Sequence, residues 1–207
     1  MNSTQLIRGP AGVIEIKTES PEGLEFPTKV VVVAHPHPLF GGSMNNKVVQ
    51  TIVRAFVLAG WCAVRFNFRG VGRSEGAYDH GVGEEKDMRA VIQHVLQPGQ
   101  VLALAGFSFG AYVAARVAAF SEEDISPVAM VLVGVATERF PVPLIPEDLR
   151  QSTTLVHGEL DETVALSSVF DWARPQGLPV SVVSGSSHFF HGYLPTLKNL
   201  VLRNISC

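Results

Sequence analysis

Charge is scarce in this chain. Asp, Glu, Lys and Arg make up 17% of its 207 residues, and the formal net charge is −3. With a pI near 6.2 there is no basic footprint to neutralise a phosphate backbone, which argues against a nucleic-acid partner. No run of about five like charges marks an interaction tail. Cysteine is nearly absent: Cys62 and Cys207 make no disulfide framework and match no zinc spacing, so a reducing compartment is expected. Long apolar runs are missing too. The longest stretch without Asp, Glu, Lys or Arg, Ala90 to Ala115, is broken by Pro98-Gly99-Gln100 and by Gly106, Ser108 and Gly110, whereas a membrane span needs ~20 nearly continuous apolar residues. Met1 to Pro10 has no apolar core behind a basic start, so no secretory signal is expected. These absences together predict a soluble, cytoplasmic protein.

What the chain has in quantity is apolar surface, at 46% of residues. A chain of this length buries roughly 70% of its unfolded surface without needing a staple, and residues 1–207 are expected to form one domain. No internal repeat or low-complexity tract interrupts it.

The periodicity alternates between strand and helix. Leu6 to Arg8 and Val13 to Lys17, joined through Gly9-Pro10-Ala11-Gly12, read as a hairpin. Val30-Val31-Val32-Val33 lies in a strand from Lys29 to His35 suited to burial on both faces. Helices are expected over Asn45–Ala59, Glu84–Leu96, Gly110–Phe120, Thr163–Trp172 and Phe189–Ile205, the last weakened by Pro195. Further strands are expected over Trp61–Phe66, Val101–Ala105, Val128–Val133, Thr153–His157 and Val180–Val183. This alternation predicts an α/β fold with a mostly parallel sheet, whose chemistry belongs beyond the carboxyl ends of the strands.

Gly106-Phe107-Ser108-Phe109-Gly110 falls where a strand passes into a helix. A serine on so sharp a turn is lifted above the sheet, and the flanking glycines remove side chains that would collide. The serine hydroxyl needs a base, and the base needs a carboxylate to orient it. Downstream, Asp161 lies in the loop after a strand. It is preferred over Glu159, over Glu162 at the helix start, and over Asp171 inside the helix. His188 stands at the junction of the last loop and helix, with His191 one turn further as its competitor. Developing negative charge on a substrate carbonyl would require two N–H groups. Phe109 supplies one. The other comes from the loop His35 to Ser43, where Pro36 and Pro38 have no N–H, leaving His37, Leu39 or Phe40; Leu39 is the expected donor. Phe40 and Phe107 are expected in the substrate pocket. The His35–His37 pair without nearby cysteines or a carboxylate cluster is no metal site, and no metal or other cofactor is expected. Gly70-Val71-Gly72 opens like a dinucleotide fingerprint, but Glu75 stands in place of its third glycine. Arg69 and Arg73 are candidates for a substrate carboxylate or for bracing the loop.

The order strand–loop, Gly-x-Ser-x-Gly, aspartate, histidine resembles the α/β-hydrolase superfamily from Ile7 to Leu202, and Asn67-Phe68-Arg69-Gly70-Val71-Gly72-Arg73-Ser74 is similar to the superfamily's loop after the fourth strand. His-Pro-His-Pro-Leu-Phe-Gly-Gly and His-Phe-Phe-His-Gly resemble small bacterial hydrolases related to dienelactone hydrolase, although Ser108 stands where that enzyme has cysteine. The resemblance implies eight strands with helices on both faces. It also implies ester, thioester or amide hydrolysis through an acyl-enzyme, with Ser108, Asp161 and His188 as nucleophile, acid and base. Only Gly134 to Ser152 is available for a cap after the sixth strand, so none is expected. The reading is a carboxylesterase-like enzyme acting on small to medium acyl esters. A thioesterase or small amide hydrolase on the same residues is the neighbouring reading, and a non-catalytic binding scaffold is the alternative of another kind.

Overall fold

A computed structural model describes residues 3–120 and 125–205. Cys207, Met1 and Asn2, which entered the sequence reading, lie outside the described residues. Eight strands form one sheet: β1 (Ser3–Gly9), β2 (Gly12–Glu19), β3 (Lys29–Ala34), β4 (Cys62–Phe66), β5 (Val101–Phe107), β6 (Pro127–Val133), β7 (Thr153–Gly158) and β8 (Val180–Val183), in the order β1-β2-β4-β3-β5-β6-β7-β8. The pairs β1–β2 and β2–β4 are antiparallel and every other pair is parallel. Among the described residues, five α-helices cover it: α1 (Lys47–Leu58), α2 (Val82–Val95), α3 (Phe109–Ala119), α4 (Leu166–Ala173) and α5 (Leu194–Ile205).

The valine run in β3 shows why the sheet is covered twice. Side chains alternate across a strand, so Val30 and Val32 point into one core and Val31 and Val33 into the other. The first core takes Met88, Val91 and Ile92 from α2, most of α3, and Val169 and Ala173 from α4. The second takes Val49, Ile52 and Phe56 from α1 with Leu197, Val201 and Ile205 from α5. Ile52 and Phe56 are wholly buried, and shortening either to alanine should cost about 2–5 kcal/mol.

Two helices begin three or more residues later than the sequence suggests. Instead of starting at Thr163, α4 starts at Leu166, because the Asp161 carboxylate captures the Thr163 and Val164 N–H groups in a tight turn. Instead of starting at Phe189, α5 starts at Leu194, and the intervening residues form turns. Pro195 therefore occupies the first turn of the shorter helix, where a missing N–H costs nothing, so it does not weaken the first turns as expected. His188 consequently sits inside a loop, and His191 is an exposed turn residue rather than part of a helix.

Arg69 resolves one alternative. Its Nε and Nη2 donate to the two carboxylate oxygens of Asp87 on α2, at 2.9 and 2.8 Å, so it braces the loop after β4. No segment between β6 and β7 forms a cap. It packs down on the sheet through buried Ile145 and Leu149, with Trp172 Nε1 donating to Val142 O at 3.1 Å.

Candidate active site

The parallel strands β3, β5, β6, β7 and β8 all point their carboxyl ends to the same edge. Ser108 directly follows β5 and takes φ 56° and ψ −115°, an unfavourable conformation for a residue with a side chain, costing about 1–3 kcal/mol. The spacing of the two glycines follows from closeness rather than from flexibility alone. A methyl group on Gly106 would overlap the Gly110 carbonyl oxygen, and one on Gly110 would overlap that of Ala34. The helix thus enters directly against β3 and β5, and Ser108 becomes the residue on which the chain turns. Its own N–H donates to Val133 O at 2.8 Å, tying the turn to β6.

Asp161 lies in the loop after β7 with its side chain wholly buried. Its Oδ1 accepts the N–H groups of Thr163 and Val164 at 2.9 and 2.8 Å, and its Oδ2 accepts His188 Nδ1–H at 2.6 Å. Burial pushes the carboxyl pKa upward, but the His188 hydrogen bond and charge, with the two backbone donors, hold it below the ordinary range. The His188 ring packs against Phe107 at 4.9 Å between centroids and against Phe189 at 5.2 Å.

Behind the aspartate is a second histidine that sequence reasoning passed over. His157, on β7, donates Nε2–H to Val164 O at 3.0 Å and stands 3.3 Å from Asp161 Oδ2. Its Nδ1 is buried with no hydrogen-bond partner, and burial lowers its pKa, so the ring is neutral with its proton on Nε2. The signal was its place four residues before Asp161 on a buried strand end.

Ser108 and His188 line one cavity of about 340 Å³, at the small end of ligand pockets. His37, Phe40, Phe109, Arg139, Phe140 and Phe189 form much of the rest of its wall. Two expectations are corrected here. Leu39 is 68% exposed and outside the lining, and its N–H is taken by His37 Nδ1 at 3.2 Å, so it has no donor to offer. Phe107 is fully buried behind the His188 ring, supporting it rather than facing the cavity. Phe40 does line the cavity.

Of the three N–H groups considered on the loop after β3, Leu39 is engaged as above and Phe40 donates to the His37 carbonyl at 3.2 Å. The N–H of His37 makes no hydrogen bond with any described residue, nor does that of Phe109, which begins α3. The two loop histidines are structural groups. His35 donates Nδ1–H to Pro36 O at 2.6 Å and accepts the Phe68 N–H at 3.0 Å; burial lowers its pKa to about 4. His37 accepts from Leu39 and reaches the Tyr78 hydroxyl at 3.1 Å; burial first, then the charges of His80 and Arg139, lowers its pKa. Arg139, Phe140 and Thr163 were not anticipated, since they arrive from two loops whose meeting depends on the tertiary path.

The same architecture recurs in known proteins. A solved α/β serine hydrolase without a lid from Xanthomonas campestris is 34% identical over 99% of this chain and 93% of its own, with a TM-score of 0.89. An α/β serine hydrolase homologue from Coxiella burnetii is 40% identical over 99% of this chain and 97% of its own, with a TM-score of 0.86. An uncharacterized protein of Rickettsia prowazekii is 43% identical over 112 residues, which is 51% of this chain and 45% of that protein. No protein-family model matches the chain. Likeness at this identity along nearly the whole length of both chains places this chain in the α/β-hydrolase family, of which the Xanthomonas member is without a lid.

Proposed function

We propose that this protein hydrolyses small to medium acyl esters through an acyl-enzyme on Ser108. The observation that carries the reading is the His188–Asp161 hydrogen bond of 2.6 Å, on a ring that shares its cavity with Ser108. Held by Asp161 through Nδ1–H, the neutral ring keeps its proton there and presents Nε2 as a base. His188 removes the Ser108 proton as the oxygen attacks the ester carbonyl, and returns it to the leaving alcohol. Water then repeats the attack on the acyl-enzyme with the same base. Asp161 stays ionised throughout and stabilises the imidazolium that forms.

Charge on the carbonyl oxygen is received by the N–H groups of Phe109 and His37. The first belongs to the start of α3, where the helix dipole adds its positive end. The second replaces Leu39 in the role expected from the sequence, for the reason that its N–H is uncommitted while Leu39's is not. An acyl group would lie against Phe40, Phe140 and Phe189, with room for only the first few methylene increments of ~0.8 kcal/mol each.

The test is labelling with an alkyl fluorophosphonate followed by peptide mapping. One phosphonyl adduct on Ser108, absent after denaturation of the protein, is expected. No adduct, or an adduct on another serine, would leave a binding scaffold as the better reading.

A further inference from the structure

Arg139 is the one cation in the cavity lining, and no carboxylate lines it, among the described residues. The guanidinium is anchored at one end only: Nε–H donates to Thr163 O at 3.2 Å, and the terminal nitrogens meet no described hydrogen-bond or ion-pair partner. Elsewhere Arg65, Arg69, Arg89 and Arg116 are each answered by a carboxylate, respectively Glu19, Asp87 and, for the last two, Glu85. The acids beside Arg139 in sequence and on the Thr163 loop have other partners. Glu138 accepts the Ala165 N–H at 3.4 Å, Glu162 the His188 N–H at 3.4 Å, and Asp161 is held by His188. The charge is felt within the cavity, since Arg139 is among the causes that lower the pKa of His37.

An unpaired guanidinium beside an aromatic cavity attracts an anion and repels a cation. Its planar fork matches a carboxylate with two parallel hydrogen bonds. We propose that Arg139 is a specificity-determining residue that selects esters bearing a free carboxylate, on either the acyl or the alcohol part. The inference rests on the ester-hydrolase reading above and names its substrate class. Because Arg139 is exposed, solvent screens the contact, and an effect of about tenfold in kcat/KM is expected rather than the larger one of a buried pair.

The experiment compares two pairs of substrates in wild type, Arg139→Gln and Arg139→Lys. Mono(4-nitrophenyl) adipate against 4-nitrophenyl hexanoate reads the acyl side; 4-acetoxybenzoate against phenyl acetate reads the alcohol side. Comparing each pair between proteins cancels the intrinsic reactivity of the esters. In at least one pair, the anionic-to-neutral ratio of kcat/KM should fall about tenfold in Arg139→Gln, mostly through KM, and partly recover in Arg139→Lys. The wild-type ratio should also decline as salt screens the charge. The pair that responds identifies which side carries the carboxylate.

Ser108-dependent hydrolysis with both ratios unchanged in Arg139→Gln overturns this inference and leaves the hydrolase reading standing. A protein that hydrolyses none of these esters contradicts the hydrolase reading instead. Binding of adipate against hexanoate, followed by ligand-observed NMR, then still reads Arg139 without turnover. A wild-type preference for adipate that Arg139→Gln abolishes supports the anion site, and equal binding in the two proteins removes it.

Discussion

His157 and His188 approach the same oxygen of one carboxylate: Nε2 of the first stands 3.3 Å, and Nδ1 of the second 2.6 Å, from Asp161 Oδ2. Three hydrogen bonds hold the aspartate, from His188 and from the Thr163 and Val164 N–H groups, while His157 stands against it with its Nε2–H given to Val164 O. His157 touches no reacting atom in the proposed mechanism, and the role expected of it is to position Asp161.

His157→Phe should accordingly lower kcat by about tenfold with little change in KM, because it loosens the acid without altering the cavity. His157→Gln can offer an N–H from a similar place and should recover most of the loss. Steady-state kinetics of the two variants checks this. Equal losses in both, or a change confined to KM, would remove the positioning role.

The proposed donor at His37 can be isolated because its backbone already suits proline, with φ −51° and ψ 124°. His37→Pro deletes the N–H together with the ring, whereas His37→Ala deletes the ring alone. The proline variant should lose about 10²–10³ more in kcat than the alanine variant, the scale of one oxyanion donor. Leu39→Ala should be mild. Indistinguishable proline and alanine variants, both folded by circular dichroism, would return the second donor to another residue.

Some of this was legible in the sequence and some was not, for physical reasons. The Val30–Val33 run and the spacing of Gly106, Ser108 and Gly110 are local signals, and the strands and the sharp turn stand where those residues put them. That Asp161 and His188 lie on loops at the same edge of the sheet was legible because each follows a strand in chain order. That the Leu39 N–H is engaged was not legible because a side chain decides it: the His37 ring folds back onto that N–H, which no pattern of prolines reveals. Helix starts at Leu166 and Leu194 were misplaced for a related reason, since the Asp161 turn and the turns around His188 occupy residues that a periodicity would assign to helix. Arg139 and Phe140 carried no motif, and the cavity exists only once the loops after β3, β6 and β7 converge.

Acid should destabilise the protein from near neutrality downward. His35, with an ordinary pKa near 6.5 when unfolded and about 4 when folded, binds a proton more readily in the unfolded chain between those values. Stability is then full above pH 6.5 and is lost as the pH falls toward 4, by about 3 kcal/mol for this group. The lowered pKa values of His37 and His157 act in the same direction. Asp161, whose carboxyl is held low, adds its own loss only below about pH 4. Urea unfolding at pH 7.5 and 4.5 measures the slope, and His35→Gln should flatten it. A stability independent of pH across that range would contradict the buried, neutral state of His35.

The central claim is that Ser108 is the nucleophile served by His188 and Asp161, and the most direct measurement is ester hydrolysis by Ser108→Ala. The variant should fold like wild type and lose about 10⁴–10⁶ in kcat, as expected where nucleophile, base and acid act as a unit. A well-folded Ser108→Ala protein that hydrolyses esters within about tenfold of wild type would contradict the account.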